Sequence, residues 1–168
     1  METDVVKVID MKNQKKVVVV TGPTASGKTA TAVFLAKKFK GEIVSADSRQ
    51  VYRGLDIGTG KDLDEYQGIP YHLIDICKPG EDFNLFKFIE LANKKIAGII
   101  ERGNLPIVVG GTGLYIQGLM MGFALEKTVP KKVKYTRERS LLPYRFWNSI
   151  KYIEIMGERG STLITLID

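Results

Sequence analysis

The chain has very little cysteine, histidine or tryptophan, with one of each among its 168 residues. The single cysteine, Cys77, leaves no partner for an internal disulfide, and the single histidine, His72, leaves no Cys/His cluster for structural zinc. Hydrophobic runs are also short, since none approaches the roughly 20 residues that a membrane-spanning helix needs. We therefore expect no disulfide, no zinc and no membrane partner, and a reducing, cytoplasmic location.

The composition that remains is ordinary for a globular domain, with a basic surplus. Hydrophobic residues make up 44% and charged residues 26% of the chain, both near the usual values. Lysine and arginine exceed aspartate and glutamate by 25 to 19, which suits a partner that carries phosphates. Residues 1–16 lack the apolar core of a signal peptide. We expect a single domain over residues 1–168, and a monomer.

Strand and helix patterns alternate along the first 121 residues. The β-branched run 17–21 ends at a glycine and predicts a buried strand, and residues 28–39 have apolar side chains at helical spacing. Further strands are predicted at 42–46, 71–76 and 106–109, and further helices at 83–100 and 114–121. This order predicts an α/β fold of the P-loop NTPase type, with a doubly wound parallel sheet flanked by helices.

The alternation stops after Gly122. The segment 124–144 is basic, contains two prolines and has no clear apolar face, so we expect a loop or a short irregular helix there. By itself, such a run of charge is most often solvated surface. One more strand is predicted at 149–156, and the beginning of a helix at 161–168.

Residues 22–29, GPTASGKT, match the phosphate-loop pattern G-x-x-x-x-G-K-[ST] between a predicted strand and a predicted helix. The glycines permit a tight turn whose N–H groups face a phosphate, and a helix N-terminus favours negative charge. Lys28 is expected to neutralise phosphate oxygens and the Thr29 hydroxyl to ligate Mg²⁺. The loop alone suggests ATP or another nucleotide but does not name the reaction. The predicted phosphate-binding residues are Gly22, Pro23, Thr24, Ala25, Ser26, Gly27, Lys28 and Thr29.

Two polar residues follow predicted strands and have two interpretations each. Asp47 is expected at the carboxyl edge of the sheet near the P-loop, where a carboxylate is suited to act as general base or to hold a Mg²⁺-bound water. The spacing from Asp47 to Gln50 equally fits a helix capping box. Thr112 suits either a helix N-cap or a substrate contact. The residues alone leave both alternatives open in each case.

Three other features favour structural roles. A lone histidine beside a tyrosine at a strand start, as at His72, is more often structural than a proton carrier. Cys77 is expected to be a small buried hydrophobic residue. Residues 58–61, GTGK, look superficially like a second phosphate site, but no apolar strand precedes them. We interpret that segment as a loop.

Several motifs together carry a family resemblance. The segments GPTASGKT, SADSRQVY, GLDIGTGKD, HLIDI and IVVGGTGLYIQGLM occur in this order between about residues 17 and 122. They resemble the tRNA dimethylallyltransferases, also called tRNA isopentenyltransferases. That family transfers a dimethylallyl group from dimethylallyl diphosphate to the exocyclic N6 amine of an adenine beside the anticodon of tRNA. The resemblance implies a prenyl-transferring enzyme with tRNA and dimethylallyl diphosphate as partners and Mg²⁺ as cofactor.

The resemblance also implies roles for individual residues. The P-loop would hold the diphosphate leaving group, with Lys28 and Thr29 as catalytic residues and Thr29 as the Mg²⁺ ligand. Asp47 matches the catalytic base that takes a proton from the adenine amine. Thr112 matches a position near the flipped-out adenine and the prenyl group. The residues that match tRNA contacts of the family are Asp47, Ser48, Arg49, Gln50 and Thr112.

Length separates this chain from the family pattern. Family members are usually about twice as long, with a helical insertion that grips the anticodon arm and an arginine that contacts the diphosphate. Neither has a counterpart in this sequence, so we expect a shortened form that lacks most of the insertion and the C-terminal region. Two alternatives are a small-molecule P-loop kinase, in which Asp47 would orient an acceptor hydroxyl, and an inactive phosphate- or RNA-binding remnant.

Overall fold

The structure is a computed structural model of the chain. It describes residues 16–57, 59–61, 63–121, 151–157 and 160–167. The predictions for the basic segment 124–144 and for Gly58 lie outside the described residues.

Six strands and three α-helices form the described part of the chain. The longest of these helices, Leu85–Glu101, begins after Asn84, whose side-chain oxygen accepts a hydrogen bond from the Lys87 backbone N–H at 3.1 Å. Asn84 is thus a helix N-cap of the common kind. The strands are β1 Val17–Thr21, β2 Gly41–Ser45, β3 Tyr71–His72, β4 Leu105–Gly110, β5 Lys151–Gly157 and β6 Gly160–Ile167. The helices are α1 Lys28–Phe39, α2 Leu85–Glu101 and α3 Gly113–Met121.

The strands form one sheet in the order β3-β2-β4-β1-β6-β5. The first four strands of that order pair in parallel. Strand β6 pairs antiparallel with β1, and β5 pairs antiparallel with β6. Strand β4 lies between β1 and β2, although both precede it in the chain, so crossover connections join the parallel strands. The predicted parallel α/β sheet is confirmed, and an antiparallel pair extends it beyond β1.

Helices cover both faces of the sheet. Side chains alternate between the faces along a strand, and β1 shows the division. Val18 and Val20 pack in a cluster with residues of α1, whereas Val19 packs in a second cluster with residues of α2 and α3. The doubly wound arrangement is therefore present.

In the ranges that the structure describes, no helix has the length and apolarity that crossing a membrane requires.

Strand β3 is shorter than the predicted strand 71–76. Leu73 and Asp75 adopt left-handed φ angles of 64° and 55°, which a continuous strand does not contain. The chain therefore leaves β3 after His72. It then forms a parallel bridge between Cys77 and Tyr52.

The prediction of a helix beginning at 161–168 is wrong. Residues 160–167 form strand β6, which pairs with β5 on one side and with β1 on the other. The segment contains four β-branched residues, which favour strands over helices. Strand β5 immediately before it, and the free edge of β1, supply hydrogen-bonding partners on both sides. The strand predicted at 149–156 is confirmed as β5, with bounds shifted by one or two residues.

Candidate functional site

Three chain segments meet at the carboxyl edge of the parallel strands. Strands β1, β2 and β4 run in the same direction, so the segments that follow them emerge at one edge of the sheet. Thr21 leads into the P-loop, Ser45 leads to Asp47, and Gly110 leads to Thr112. In open α/β sheets ligands bind at this edge. The structure therefore brings together the three segments that carry the predicted site residues.

The P-loop turns sharply between β1 and α1. Ala25 and Gly27 adopt left-handed φ angles of 62° and 84°, and the Ser26 N–H donates to the Pro23 carbonyl at 3.3 Å. Gly27 immediately precedes α1, and within the described residues neither a side-chain cap nor an acidic first-turn residue covers this helix end. A helix N-terminus of this kind presents N–H groups and a positive partial charge, which suit an anion.

Lys28 lies at the first turn of α1 and is half-buried. Its Nζ donates a hydrogen bond to the Pro23 carbonyl at 2.6 Å, across the P-loop. Burial lowers the pKa of Lys28, and the negative charge of Asp47 opposes this shift. The carboxylate of Asp47 is therefore close enough to the P-loop cation for the two charges to interact.

Mg²⁺ would be held through oxygen atoms at this edge. No group of three or more His, Cys, Asp or Glu side chains among the described residues is arranged to hold a metal. Mg²⁺ at phosphate sites, however, usually takes only one or two protein oxygens and completes its shell with phosphate and water. The Thr29 hydroxyl in the first turn of α1 supplies one such oxygen, and the Asp47 carboxylate is suited to hold a Mg²⁺-bound water rather than the ion itself. These residues fit Mg²⁺ when a diphosphate is bound with it.

Asp47 begins a turn, not a helix. Its Oδ1 accepts a hydrogen bond from the Arg49 backbone N–H at 2.9 Å, and residues 48–51 form turns. The capping-box alternative is therefore wrong. The Gln50 side chain does not reach back to Asp47, because its Oε1 accepts from the Ser45 hydroxyl at 3.0 Å. A carboxylate has more acceptor capacity than one hydrogen bond uses, so Asp47 retains a capacity to accept a proton.

Thr112 joins the segments that follow β2 and β4. Its Oγ1 accepts a hydrogen bond from the Ser48 backbone N–H at 3.1 Å and lies 3.5 Å from the Ser48 hydroxyl. Its carbonyl accepts from the Tyr115 and Ile116 N–H groups at 3.0 and 3.2 Å, which starts α3. Thr112 thus occupies the helix-start position, while its side chain holds the neighbour of Asp47. Contact with substrate stays a prediction.

Gly110 sets the spacing between the ends of β2 and β4. The Ala46 N–H donates to the Val109 carbonyl at 2.7 Å. A Cβ atom at Gly110 would lie 2.3 Å from the Ala46 carbonyl oxygen, which is backbone. Only glycine permits this approach. Gly110, the first glycine of the GGTG motif, therefore permits the close contact between the two strands that lead to Asp47 and Thr112.

Lys61, which the sequence indicates only as part of a loop, is a buried cation. Its side chain is 1% exposed and forms ion pairs with Asp56 at 3.0 Å and Asp75 at 2.5 Å. Burial by itself lowers the pKa of Lys61, but the hydrogen bonds and charges of Asp75 and Asp56 outweigh burial and raise it. The amine is bound by protein acceptors, as the loop interpretation expects. Local sequence patterns do not predict the pairing of Lys61 with Asp75, because the two residues are 14 positions apart along the chain.

The structural roles predicted for His72 and Cys77 are confirmed. His72 Nε2 lies 2.7 Å from Oε2 of the buried Glu42, and Cys77 is buried, which raises the pKa of its thiol. Arg102 and Asn104 also donate to the Glu42 carboxylate. Their hydrogen bonds, with that of His72, hold the pKa of Glu42 down to about 2 even though burial opposes the shift. This cluster lies at the amino edge of the sheet.

Family models match most of the described core. The model described as IPP transferase matches residues 50–151, which is 102 of the 168 residues. A second model, described as Isopentenyl transferase, matches residues 15–69. The chain belongs to the IPP transferase family. The resemblance drawn from the motifs is therefore confirmed.

Relatives and solved structures agree with the family. The chain is 54% identical to a tRNA dimethylallyltransferase of Geotalea daltonii over 120 residues, covering 71% of this chain and 39% of the relative. It is 50% identical to a tRNA dimethylallyltransferase of Streptococcus pneumoniae over 130 residues, covering 77% and 44%. This IPP transferase family member therefore spans about two-fifths of the length of those relatives.

Solved structures show the same core. A tRNA isopentenylpyrophosphate transferase of Bacillus halodurans matches with a TM-score of 0.65 and 52% identity, covering 67% of this chain and 38% of that one. A eukaryotic dimethylallyltransferase acting on tRNA matches with a TM-score of 0.59 and 36% identity, covering 77% and 33%. The predicted P-loop type of α/β fold is confirmed by this likeness.

Proposed function

We propose that this IPP transferase family member transfers a dimethylallyl group from dimethylallyl diphosphate to the N6 amine of an adenine beside the tRNA anticodon. One observation carries the proposal: the parallel strands β1 and β2 bring the P-loop cation Lys28 and the carboxylate of Asp47 to one sheet edge, where the charge of Asp47 acts on the pKa of Lys28. A diphosphate leaving group is stabilised by a cation, and an amine that must lose a proton needs a base, so the two groups suit one reaction at this edge. The names of the relatives, tRNA dimethylallyltransferases, support the same substrates.

The reaction assigns a separate task to each group. The adenine N6 lone pair forms a bond to the prenyl carbon that carries oxygen. The carbon–oxygen bond to the diphosphate breaks, and its electron pair leaves with the diphosphate. Asp47 accepts the proton that the amine must lose, which is the role of a general base. The atoms and charges balance, because the products are prenylated adenine, diphosphate and protonated Asp47.

The P-loop acts on the leaving group. Negative charge grows on the diphosphate oxygens as the carbon–oxygen bond breaks, so donors fixed around those oxygens stabilise the transition state more than the ground state. The N–H groups at the start of α1 and the Lys28 amine are such donors. Mg²⁺, with Thr29 as its protein ligand, would add charge neutralisation when bound. This use of the loop serves departure of diphosphate, not transfer of a phosphoryl group.

The tRNA side of the site is the turn after β2. Ser48 is fastened to Thr112, and the exposed Arg49 is chemically suited to a phosphate or to stacking on a base. The Gln50 side chain is engaged by protein through Ser45, so its contact with RNA would use the remaining capacity of its amide. Tyr115, whose ring stacks on Phe88 at 4.3 Å between centroids, donates its backbone N–H to the Thr112 carbonyl at 3.0 Å. A cytoplasmic location and a monomeric state belong to the same proposal.

The test is transfer of labelled dimethylallyl from its diphosphate to an unmodified tRNA, with and without Mg²⁺. Asp47→Asn keeps an oxygen for the Arg49 N–H but cannot accept a proton. We expect it to slow transfer by roughly a hundredfold or more while donor binding changes by less than about twofold. Glu90→Gln, an exposed carboxylate on α2, is the matched control and should leave both quantities unchanged.

Two results would overturn the proposal. One is a folded wild-type chain that leaves the tRNA unlabelled. The other is phosphate transfer from ATP to a small acceptor, together with tighter binding of ATP than of dimethylallyl diphosphate. That second result would establish the kinase alternative. Donor binding measured by calorimetry separates a defect in the P-loop from a defect on the tRNA side.

A further inference from the structure

The Lys61 amine is fully occupied inside the protein. It donates to the Tyr52 carbonyl at 2.8 Å, to Asp56 Oδ1 at 3.0 Å and to Asp75 Oδ1 at 2.5 Å. An ammonium group has three donors, and each has an acceptor here. With its side chain 1% exposed, Lys61 is not a ligand-binding lysine, despite the preceding glycine-rich sequence. A buried charge is costly to maintain. We therefore examine which parts of the chain the Lys61 amine joins through its three hydrogen bonds.

Two of the three acceptors, Tyr52 and Asp56, belong to the segment that follows the Asp47 turn, and the third, Asp75, belongs to the segment after β3. The segment 50–53 runs beside 75–77, and backbone hydrogen bonds join them. The Asp75 N–H donates to the Gln50 carbonyl at 3.0 Å, and the Arg53 N–H donates to the Cys77 carbonyl at 2.9 Å. Lys61 clamps the same two segments through Tyr52 and Asp75. The amine therefore closes a junction whose first residue, Gln50, is the last residue of the turn that Asp47 begins.

Gln50 connects this junction to the turn itself. Its Oε1 accepts from the Ser45 hydroxyl at the end of β2. Its Nε2 lies 3.4 Å from the carbonyls of Thr59 and Gly60, which directly precede Lys61. The Asp47–Gln50 turn is thus fixed at one end by β2 and Thr112, and at the other end by the Lys61 junction. Loss of the junction would free the second end directly, and it would loosen the turn as far as the hydrogen bond of the Ser48 N–H at the first end.

We propose that Lys61 is a positioning residue for the tRNA side of the site. It holds the far end of the turn 47–50 so that Ser48, Arg49 and Gln50 face the RNA, and it leaves the P-loop unaffected. This inference rests on the proposed function for its consequence on tRNA. Its structural part concerns the turn alone and has a readout that needs no activity.

The experiment is amide hydrogen exchange of the full chain, comparing wild type with Lys61→Met. Methionine retains the length and most of the volume of the side chain but has no charge and no donors. We expect the amides of Ser48, Tyr52 and Arg53 to exchange at least tenfold faster, with those of β1 and α1 unchanged. On the proposed function, KM for tRNA should rise by at least tenfold while the affinity for dimethylallyl diphosphate changes less than twofold.

Glu42→Gln is the control, because it weakens a buried ionic cluster at the opposite sheet edge. It should accelerate exchange near Glu42 and Arg102, and it should leave the 48–53 amides and KM for tRNA as in wild type. Uniform acceleration throughout the Lys61→Met protein, or unchanged exchange at 48–53, would overturn the inference. Suppose that the 48–53 amides exchange faster in Lys61→Met but the folded wild-type chain itself transfers no dimethylallyl group. That result would support the structural part of the inference and refute the proposed function.

Asp56→Asn covers the case in which Lys61→Met does not fold. The Asp56 side chain is 64% exposed, so its replacement removes one partner of Lys61 without emptying a buried site. We expect a smaller acceleration, about threefold, confined to the same amides. An Asp56→Asn protein whose 48–53 amides exchange like wild type would count against the junction.

Discussion

The two edges of the parallel sheet use charge in opposite ways. At the amino edge, the buried Glu42 carboxylate receives hydrogen bonds from Arg102 and Asn104 and lies within 2.7 Å of His72. At the carboxyl edge, Asp47 accepts one backbone hydrogen bond. Lys28 nearby donates to one carbonyl, and its pKa is lowered by burial. Among the residues that the structure describes, one edge satisfies its charges internally, whereas the other holds a cation and a carboxylate that form no ion pair with each other.

This difference separates stability from ligand binding. A carboxylate with several donors contributes to folding and has little capacity for an external partner. Groups that are fixed in place but incompletely paired add less to stability, and they retain capacity to interact with a ligand. Changes to the charged groups of the carboxyl edge should therefore alter binding more than stability, changes to those of the amino edge should do the reverse, and changes to the backbone contacts beneath the site should alter both. Four substitutions test that division, from the largest expected effect to the smallest.

Lys28→Met should give the largest change, in binding. Removing a charge-assisted donor to phosphate costs about 3 kcal/mol, or more than a hundredfold in affinity. Isothermal titration with inorganic pyrophosphate measures this directly. Thermal unfolding should change little, because burial already disfavours the ammonium form. Lys94→Met on the exposed face of α2 is the control, and equal pyrophosphate affinity in the two variants would contradict the division between the edges.

Gly110→Ala should affect stability and site together, because it acts where β2 and β4 meet. The new methyl group would meet the Ala46 carbonyl oxygen, and overpacking against backbone costs about 3 kcal/mol. Urea unfolding measures the loss. Gly111→Ala provides a stringent control one residue away, since a Cβ there meets nothing within 4 Å. Similar unfolding midpoints for the two variants would contradict the close approach.

Glu42→Gln should reduce stability by about 2 kcal/mol at pH 7, since it weakens hydrogen bonds to a charged group. The pKa of Glu42 is lowered from 4.5 to about 2 in the folded state. The contribution of the carboxylate is therefore complete above about pH 4.5 and is lost as the pH falls towards 2. Unfolding curves of wild type and variant should converge over that range. A constant difference down to pH 2 would show that Glu42 is not the titrating group, and pyrophosphate affinity should not change.

Thr112→Val should give the smallest change. Valine retains the shape but removes the acceptor for the Ser48 N–H, which costs about 1 kcal/mol in stability. On the proposed function, the rate of transfer to tRNA should fall by a larger factor than this loss of stability implies. The reason is that the turn containing Asp47 loses its hydrogen bond to Thr112, at the start of α3. Thermal unfolding and transfer rates measured on the same preparation compare the two effects. A fall in stability with an unchanged transfer rate would limit Thr112 to a structural role.

Local patterns predicted most of the fold. The β-branched run of β1 and the helical spacing of α1 depend on residues within a few positions, so the structure matches them closely. The helix predicted at 161–168 failed because its alternative is stabilised by pairing with β1, more than 130 residues earlier. Strand β3 ended early because Leu73 takes a left-handed conformation that a leucine rarely adopts, and Asp75, a residue type that tolerates this conformation, takes it two residues later.

The candidate site was predicted in part for the same reason. The P-loop is a contiguous motif, and Asp47 and Thr112 follow strands, so topology alone brings them to one edge. The Lys61 junction and the Glu42 cluster each include contacts between distant residues: Lys61 and Asp75 are 14 positions apart in sequence, and Glu42 and Asn104 are 62 apart. From sequence, a lysine or glutamate is predicted to lie on the surface, because these residues are seldom buried without a partner. These ionic clusters therefore emerged only from the fold.

The hydrogen bond from Lys28 to the Pro23 carbonyl bears on which anions this loop selects. A small monovalent anion that reaches only the amine replaces one hydrogen bond with another and gains little. A chain of two phosphates can touch the amine and the N–H groups of the helix end simultaneously. On the proposed function, we therefore expect the loop to bind polyphosphate esters in preference to small monovalent anions, because only a ligand with several phosphate oxygens can replace the internal hydrogen bond and gain further ones.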